Sequence, residues 1–172
     1  MQVFCVYAET QFLLMSTITY QRATAEDAAV MAEMRIQFFV NFEGPRTQEE
    51  QDALRPYLEA YFKRAIAQHT YICWMAKDGD AVVGIGGMTV REHPGNFRNP
   101  NGTMGYVMNM YTLPSHRRMG ISTHILDRLQ ESGREMDIRL FELHATAEGE
   151  PVYVKNGFKK HHEPTYRKLD PA

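Results

Sequence analysis

The sequence predicts an α/β (α+β) fold in which helices flank a mixed, mostly antiparallel central sheet. The pair Asp78-Gly79, set between two stretches of β-forming residues, indicates an antiparallel hairpin. A strand, a helix and a further strand follow one another between residues 103 and 146, which is the order of a crossover between parallel strands. Both kinds of pairing in one chain require a mixed sheet.

A strand and a helix open the predicted domain. The stretch 18–22 is short and β-branched, and Thr24 is suited to cap the helix that follows it. Apolar residues then recur at helical spacing, at Ala28, Met31, Met34 and Phe38.

The next segment, 47–69, begins with Thr47 and Glu50 in the spacing of a capping box. Pro56 disfavours helical geometry at Arg55, so the sequence predicts two helical pieces here. The second piece carries an apolar face made of Leu58, Phe62, Ala65 and Ile66.

The hairpin strands are predicted at 71–77 and 81–90, and a polar loop follows at 91–102. This loop contains two Pro, two Gly and three Asn, and it is long enough to serve a function.

The crossover consists of a strand at 103–113, a helix at 121–136 and a strand at 138–146. A short helix at 151–155 then ends at Asn156-Gly157, where glycine supplies a left-handed cap. We expect a last strand to begin at Phe158.

Length and composition limit the function classes. The chain has 172 residues, 44% of them hydrophobic, and a net charge of -2, which fits one globular domain at 15–172 without a basic field for nucleic acid. Residues 1–14 have no basic region typical of a signal peptide, and we treat them as a leader or extension. No apolar run approaches a membrane span, and two widely spaced cysteines favour a cytoplasmic setting.

The turn Ser115-His116-Arg117-Arg118-Met119-Gly120 precedes a predicted helix and is basic. A helix N-terminus favours negative charge, so basic residues there suggest an anionic ligand such as a pyrophosphate. A solvated basic turn is the structural alternative. Neither a Walker loop nor a dinucleotide fingerprint occurs in the chain.

Two motifs resemble those of the GCN5-related N-acetyltransferases. Arg117-x-x-Gly120-x-Ser122 is similar to the family signature Gln/Arg-x-x-Gly-x-Gly/Ala, with Ser122 as a departure from it. Tyr153-x-x-x-Gly157-Phe158 is similar to the family's second landmark, and the predicted order of elements over 17–169 also matches.

The resemblance implies that acetyl-CoA is the co-substrate and lies in a notch between the strands 103–113 and 138–146. A bulge in the first of these strands would aim an N–H at the thioester oxygen. The acceptor amine would attack the thioester directly, without an acyl-enzyme. The implied contacts to the pantetheine arm come from Met110, Tyr111 and Thr112, and those to the pyrophosphate from Arg117, Arg118, Met119, Gly120, Ile121 and Ser122.

Proton transfer requires an acid and a base. Tyr153 matches the family's acid, although a tyrosine in this place could also serve packing alone. The strand 103–113 contains no carboxylate to act as the base, so we expect His144, which alternates with Glu142 on the neighbouring strand, to take this role. The run His161-His162-Glu163 is interpreted as solvated, and the sequence predicts no metal site.

The acceptor is expected to be a primary amine of a small molecule or peptide, selected by segments 38–56 and 91–102. Phe38, Phe39, Phe42 and Glu43 could form an apolar wall with one anion, or Phe38 and Phe39 could belong to the core. His93, Phe97 and Arg98 could recognise a carboxylate or close as a lid. A non-catalytic acyl-CoA-binding module remains the alternative function, and a homodimer formed through an edge strand or loop 91–102 stays open.

Overall fold

The computed structural model describes residues 17–162, 166 and 168, so the predicted leader at 1–14 lies outside the described residues. Five strands form one sheet in the order β1-β2-β3-β4-β5. The first four strands pair antiparallel, whereas β4 and β5 pair parallel, which confirms the mixed, mostly antiparallel sheet. The strands are β1 (Ile18–Arg22), β2 (Tyr71–Asp78), β3 (Ala81–Glu92), β4 (Thr103–Thr112) and β5 (Leu140–Leu143).

Helices cover both faces of the sheet. Alternate residues of β2 point to opposite cores, with Cys73 and Met75 packed toward the first two helices and Ile72 and Ala76 packed toward the third. The helices are α1 (Ala28–Glu43), α2 (Gln48–Ala67), α3 (Ile121–Glu135) and α4 (Glu150–Lys155). None of the helices in the described ranges is both long and apolar enough to cross a membrane.

The helix α2 is continuous through Pro56, so the prediction of two helical pieces is wrong. Proline removes one donor from the helix, but contacts on both sides of it keep the helix continuous through this point. Arg55 forms an ion pair with Glu33 of α1, and Phe62 is buried in the core beyond the proline. The capping box of Thr47 is present as predicted.

The C-terminal part departs further from the prediction. The strand β5 is shorter than 138–146, because the chain leaves the sheet after Leu143. Residues 158–162 form no strand: the N–H of Phe158 donates to the carbonyl of Tyr153, which caps α4, and the Phe158 ring packs against the core next to α3. Gly157 supplies the expected left-handed cap with φ of +84°.

Candidate active site

A cavity opens where β4 and β5 separate. The two strands pair only as far as Val107 and Leu143, whereas β4 remains paired with β3 as far as Thr112. Beyond this point lies a cavity of about 610 Å³, adjoined by a smaller one of about 110 Å³. The residues that line both cavities are Phe38, Met110, Ser122, Thr146, Gly149 and Val152. The predicted notch is therefore present.

The strand β4 carries the expected bulge at the floor of the smaller cavity. Ile85 pairs with Tyr111 and Gly87 pairs with Met108, so Gly86 alone faces two residues of β4. Those two residues are Asn109 and Met110, which line the smaller cavity. The extra residue bends the strand and leaves backbone groups of the bulge outside the ladder.

Asn109 fixes the bulge, and its role is not evident from the sequence motifs. Its backbone has a φ of +55°, in the left-handed region that asparagine tolerates better than other side chains. The buried Asn109 amide donates to the Tyr71 hydroxyl over 2.8 Å and accepts a hydrogen bond from Arg35. An asparagine inside an otherwise apolar strand is the one local signal that could have found it.

The turn before α3 forms the other end of the larger cavity. Arg118 and Gly120 have φ values of +64° and +79°, and an added Cβ at Gly120 would meet nothing within 4 Å. Within the described residues, no backbone carbonyl accepts from the N–H groups of 118–123, and the first turn of α3 holds no acidic residue. These N–H groups and the helix N-terminus together suit a bound anion.

Side chains tie this turn to the end of β4. Arg117 Nε donates to the carbonyl of Thr112 over 3.3 Å, and Arg117 also lies 3.8 Å from Glu148. The hydroxyls of Thr112 and Ser122 lie 3.1 Å apart. Ser122, the departure from the family signature, therefore links α3 to β4 through its hydroxyl.

The predicted cofactor-binding residues converge on one cavity, with a single exception. Met119 is exposed and lies outside the lining of both cavities. The predicted cofactor-binding residues that line the larger cavity are Met110, Tyr111, Thr112, Arg117, Arg118, Gly120, Ile121 and Ser122.

Tyr153 and His144 both line the smaller cavity beside the bulge. Tyr153 projects from α4, and its ring packs edge-on against Phe158. Burial raises the pKa of Tyr153 above its ordinary value of 10, so the phenol is protonated at neutral pH. A proton donor therefore faces the cavity.

His144 follows directly after β5 and is exposed. Its Nδ1 forms a hydrogen bond with the hydroxyl of Tyr106, and the guanidinium of Arg91 lies 3.7 Å from the centre of the Tyr106 ring. Glu142 pairs in register with Tyr106 and is exposed as well. The hydrogen bond between Tyr106 and Nδ1 orients the His144 imidazole and leaves its Nε2 available to a ligand.

Comparison with known proteins decides the family. Residues 43–169 match the family model described as an acetyltransferase (GNAT) domain. The chain belongs to the GNAT acetyltransferase family. A search of curated protein sequences finds no match.

Solved GNAT structures share this fold. A predicted acetyltransferase from Clostridium acetobutylicum, solved with acetyl-CoA, is 27% identical with a TM-score of 0.79, covering 90% of this chain and 96% of that chain. A GCN5-related N-acetyltransferase from Ralstonia eutropha is 25% identical with a TM-score of 0.76, covering 88% and 99%. Ribosomal-protein-alanine N-acetyltransferase from Brucella melitensis is similar in fold alone, at 16% identity and a TM-score of 0.66 over 90% and 100% of the chains.

In this GNAT domain, helix α1 contributes residues to the wall of the larger cavity, whereas the long loop does not. Phe38, Asn41 and Phe42 line the larger cavity, and Asn41 donates to the Tyr111 hydroxyl over 3.0 Å. Phe38 also packs against the core, so both interpretations of it hold. No residue of loop 91–102 lines either cavity, and the roles expected of His93, Phe97 and Arg98 stay predictions.

Metal ligands are not grouped in the described part of this GNAT chain. Among residues 17–162, 166 and 168, no three His, Cys, Asp or Glu side chains are placed to hold a metal ion. His161 and His162 are exposed with ring centres 4.9 Å apart, and they do not lie on a strand, while Glu163 is outside the described residues.

Proposed function

We propose that this protein is an acetyl-CoA-dependent N-acetyltransferase that moves an acetyl group to a primary amine of a small molecule or peptide. The observation that carries the proposal is a pair of adjoining cavities, the smaller beside the bulge at Asn109 and the larger beside the left-handed turn at Gly120. The Clostridium relative solved with acetyl-CoA supports the choice of donor. The buried, free thiol of Cys73 supports a reducing, cytoplasmic setting.

The turn at 117–122 would hold the pyrophosphate of the donor. Backbone N–H groups at the N-terminus of α3 donate to the phosphate oxygens, and the open space over Gly120 lets those oxygens approach the backbone. Arg117 and Arg118 add positive charge at the cavity wall. Met110, Tyr111 and Thr112 would offer backbone hydrogen bonds to the pantetheine arm.

The bulge would stabilise the transition state. A backbone N–H that no longer belongs to the β3–β4 ladder donates to the oxygen of the thioester, where negative charge develops as the amine attacks. The Arg35–Asn109–Tyr71 contacts hold this N–H in place before the reaction begins.

His144 and Tyr153 would complete the proton transfers. When Nδ1–H of His144 donates to Tyr106, the Nε2 lone pair accepts a proton from the ammonium group of the acceptor and so produces the free amine that attacks. The C–N bond forms and the C–S bond breaks, and Tyr153 donates its phenolic proton to the departing thiolate. The nitrogen loses its second proton, through water, to the Tyr153 oxygen, which yields the neutral amide and restores the phenol. Proton release and proton supply are thus assigned to separate side chains.

Thiol release tests the proposal. The purified protein is mixed with acetyl-CoA and a panel of primary amines, with the corresponding alcohols as matched controls. We expect CoA release and an acetamide product with at least one amine and with no alcohol. Acetyl-CoA binding without turnover of any amine would contradict catalysis and favour the acyl-CoA-binding module.

A further inference from the structure

Three arginines from three elements converge on one aromatic surface beside the candidate site. Arg35 of α1 lies 4.6 Å from the centre of the Phe39 ring, and Arg91 of β3 lies 3.7 Å from that of Tyr106. Arg64 of α2 lies 5.9 Å from the centre of the Tyr61 ring. We call Arg35, Arg64 and Arg91 the arginine patch.

The arginine patch lacks carboxylate partners. Among the described residues, no Asp or Glu oxygen lies within 4 Å of any of its three guanidinium groups, whereas Arg55 on the same α2 helix forms an ion pair with Glu33. Burial raises the pKa of the Tyr61 phenol, and the charges of all three arginines act in the opposite direction. Positive charge is therefore concentrated here without a carboxylate in direct contact, and the charge of Glu43 acts on Arg35 only from beyond 4 Å.

Arg35 is partly withdrawn from solvent, and its burial lowers its pKa below the ordinary value. The Asn109 amide accepts a hydrogen bond from one of its N–H groups, but a guanidinium carries five such donors. Removing a cation from water without a counter-ion costs free energy, which a bound anion would recover.

Two sets of contacts connect the arginine patch to the smaller cavity. Arg91 stacks on Tyr106, whose hydroxyl bonds to His144, and Arg35 bonds to Asn109 at the bulge. His144 and Asn109 both line the smaller cavity. A molecule held by these arginines would thus place its other end beside the proposed base.

We propose that the arginine patch binds an anionic group of the acceptor, a carboxylate or a phosphate, so that the acceptor is a zwitterion whose amine lies a few bonds from this anion. This inference rests on the proposed function and specifies its substrate class. Exposed Glu142, in register with Tyr106, is placed to attract the ammonium end, because the packing of Phe141 and Leu143 toward α3 leaves it on the opposite face.

Matched acceptor pairs test the proposal. Rates of CoA release are measured for β-alanine against its amide, for 4-aminobutyrate against its amide, and for phosphoethanolamine against ethanolamine. We expect kcat/KM to be at least about tenfold higher for the charged member of one or more pairs. The pair with the largest ratio distinguishes carboxylate from phosphate. Equal rates within every pair would overturn the inference.

Arginine variants localise the effect. Arg91→Gln should bring the ratio of kcat/KM between the charged and the neutral acceptor close to one, and this ratio is the readout because Arg91 also contacts Tyr106 beside His144. Arg139→Gln serves as the control, because Arg139 is exposed and pairs with Asp137 away from both cavities. Arg91 is exposed, so its replacement should not prevent folding. Arg35 is not used for this test, because Arg35→Gln would also remove the hydrogen bond to Asn109 at the bulge. A preference that survives Arg91→Gln would contradict the assignment.

A binding measurement separates this inference from the proposed function. In a 15N-labelled protein, phosphoethanolamine or 4-aminobutyrate should shift the Nε–H resonance of Arg91, and the neutral partner should not. This shift does not require turnover. Acetylation of amines without any shift or charge preference would overturn the arginine patch alone, whereas a shift without acetyl-CoA binding would overturn only the proposed function.

Discussion

At the scale of single residues, Asn109 shows how a polar side chain shapes the cavity. Its left-handed backbone makes the bulge, and its amide is held by Tyr71 and Arg35. An alanine there would strain the backbone by about 1–2 kcal/mol and leave the Tyr71 hydroxyl without its partner.

Substitutions at Asn109 separate these two contributions. We expect Asn109→Ala to lower the free energy of unfolding by about 2–4 kcal/mol, and Asn109→Gly to be less destabilising by about 1 kcal/mol because glycine tolerates the left-handed conformation. Urea unfolding of both variants measures the difference. Equal stability of the two would show that the backbone conformation is not the source of the cost.

Tyr153 provides a catalytic test at the same scale. Tyr153→Phe removes the proton donor but keeps the ring that packs on Phe158, so we expect kcat to fall by about a hundredfold and the Kd for acetyl-CoA to stay within about twofold. Tyr57→Phe is the control, because Tyr57 is 77% exposed and outside both cavities. An unchanged kcat would assign Tyr153 to packing only.

Local patterns predicted some site residues and missed others for a physical reason. Arg117 and Gly120 stand out in the sequence because basic residues and glycine at a helix N-terminus are at odds with helix stability. Asn109 has no such local conflict, since its importance comes from Tyr71 and Arg35, which lie 38 and 74 positions away along the chain.

At the scale of secondary-structure elements, packing overrode local preference. The helix α2 passes through Pro56 because α1 and the core hold both of its halves. The strand β5 ends early for a related reason. Its pairing with β4 stops at Leu143, and the β-forming residues after Leu143 cannot extend the strand without that partner. In α2 the stabilising partners, Glu33 and the core around Phe62, belong to tertiary packing that a local reading of residues 47–69 does not show.

The tolerated proline in α2 leads to a stability prediction. Pro56 is exposed, so Pro56→Ala should restore a helix hydrogen bond and raise the free energy of unfolding by about 1–2 kcal/mol, after allowing for the greater freedom of the unfolded chain. Ala60→Pro, at another exposed position of α2, should instead lower it by about 3 kcal/mol or more. A loss of stability in Pro56→Ala would contradict this explanation of the continuous helix.

At the scale of the whole molecule, the buried core makes stability sensitive to alkaline pH. Burial raises the pKa of Cys73 from 9.0 to about 12 and raises the pKa of Tyr71 well above 10. Both groups keep their protons in the folded state and lose them more readily when unfolded, so their stabilisation is complete below pH 9 and is lost as the pH rises toward 12.

Urea unfolding between pH 8 and about 11 checks this dependence. We expect the free energy of unfolding to fall above pH 9 by up to about 1.4 kcal/mol per pH unit for each of the two groups. In Cys73→Ala, the fall of the unfolding free energy with pH should be less steep by up to about 1.4 kcal/mol per pH unit, which corresponds to one proton. The same slope in both proteins would show that the thiol does not titrate on unfolding.

The cavity itself is best tested by calorimetric titration of acetyl-CoA into the wild-type protein. We predict micromolar binding that is at least about tenfold tighter than that of ADP, because ADP offers the pyrophosphate without the pantetheine arm. Gly120→Leu should abolish this binding by filling the open space above the turn, while Gly79→Leu, which replaces another left-handed glycine with open space around it, should leave binding unchanged. Absence of acetyl-CoA binding to the wild-type protein, or tight binding that survives Gly120→Leu, would contradict the assignment of the cavity.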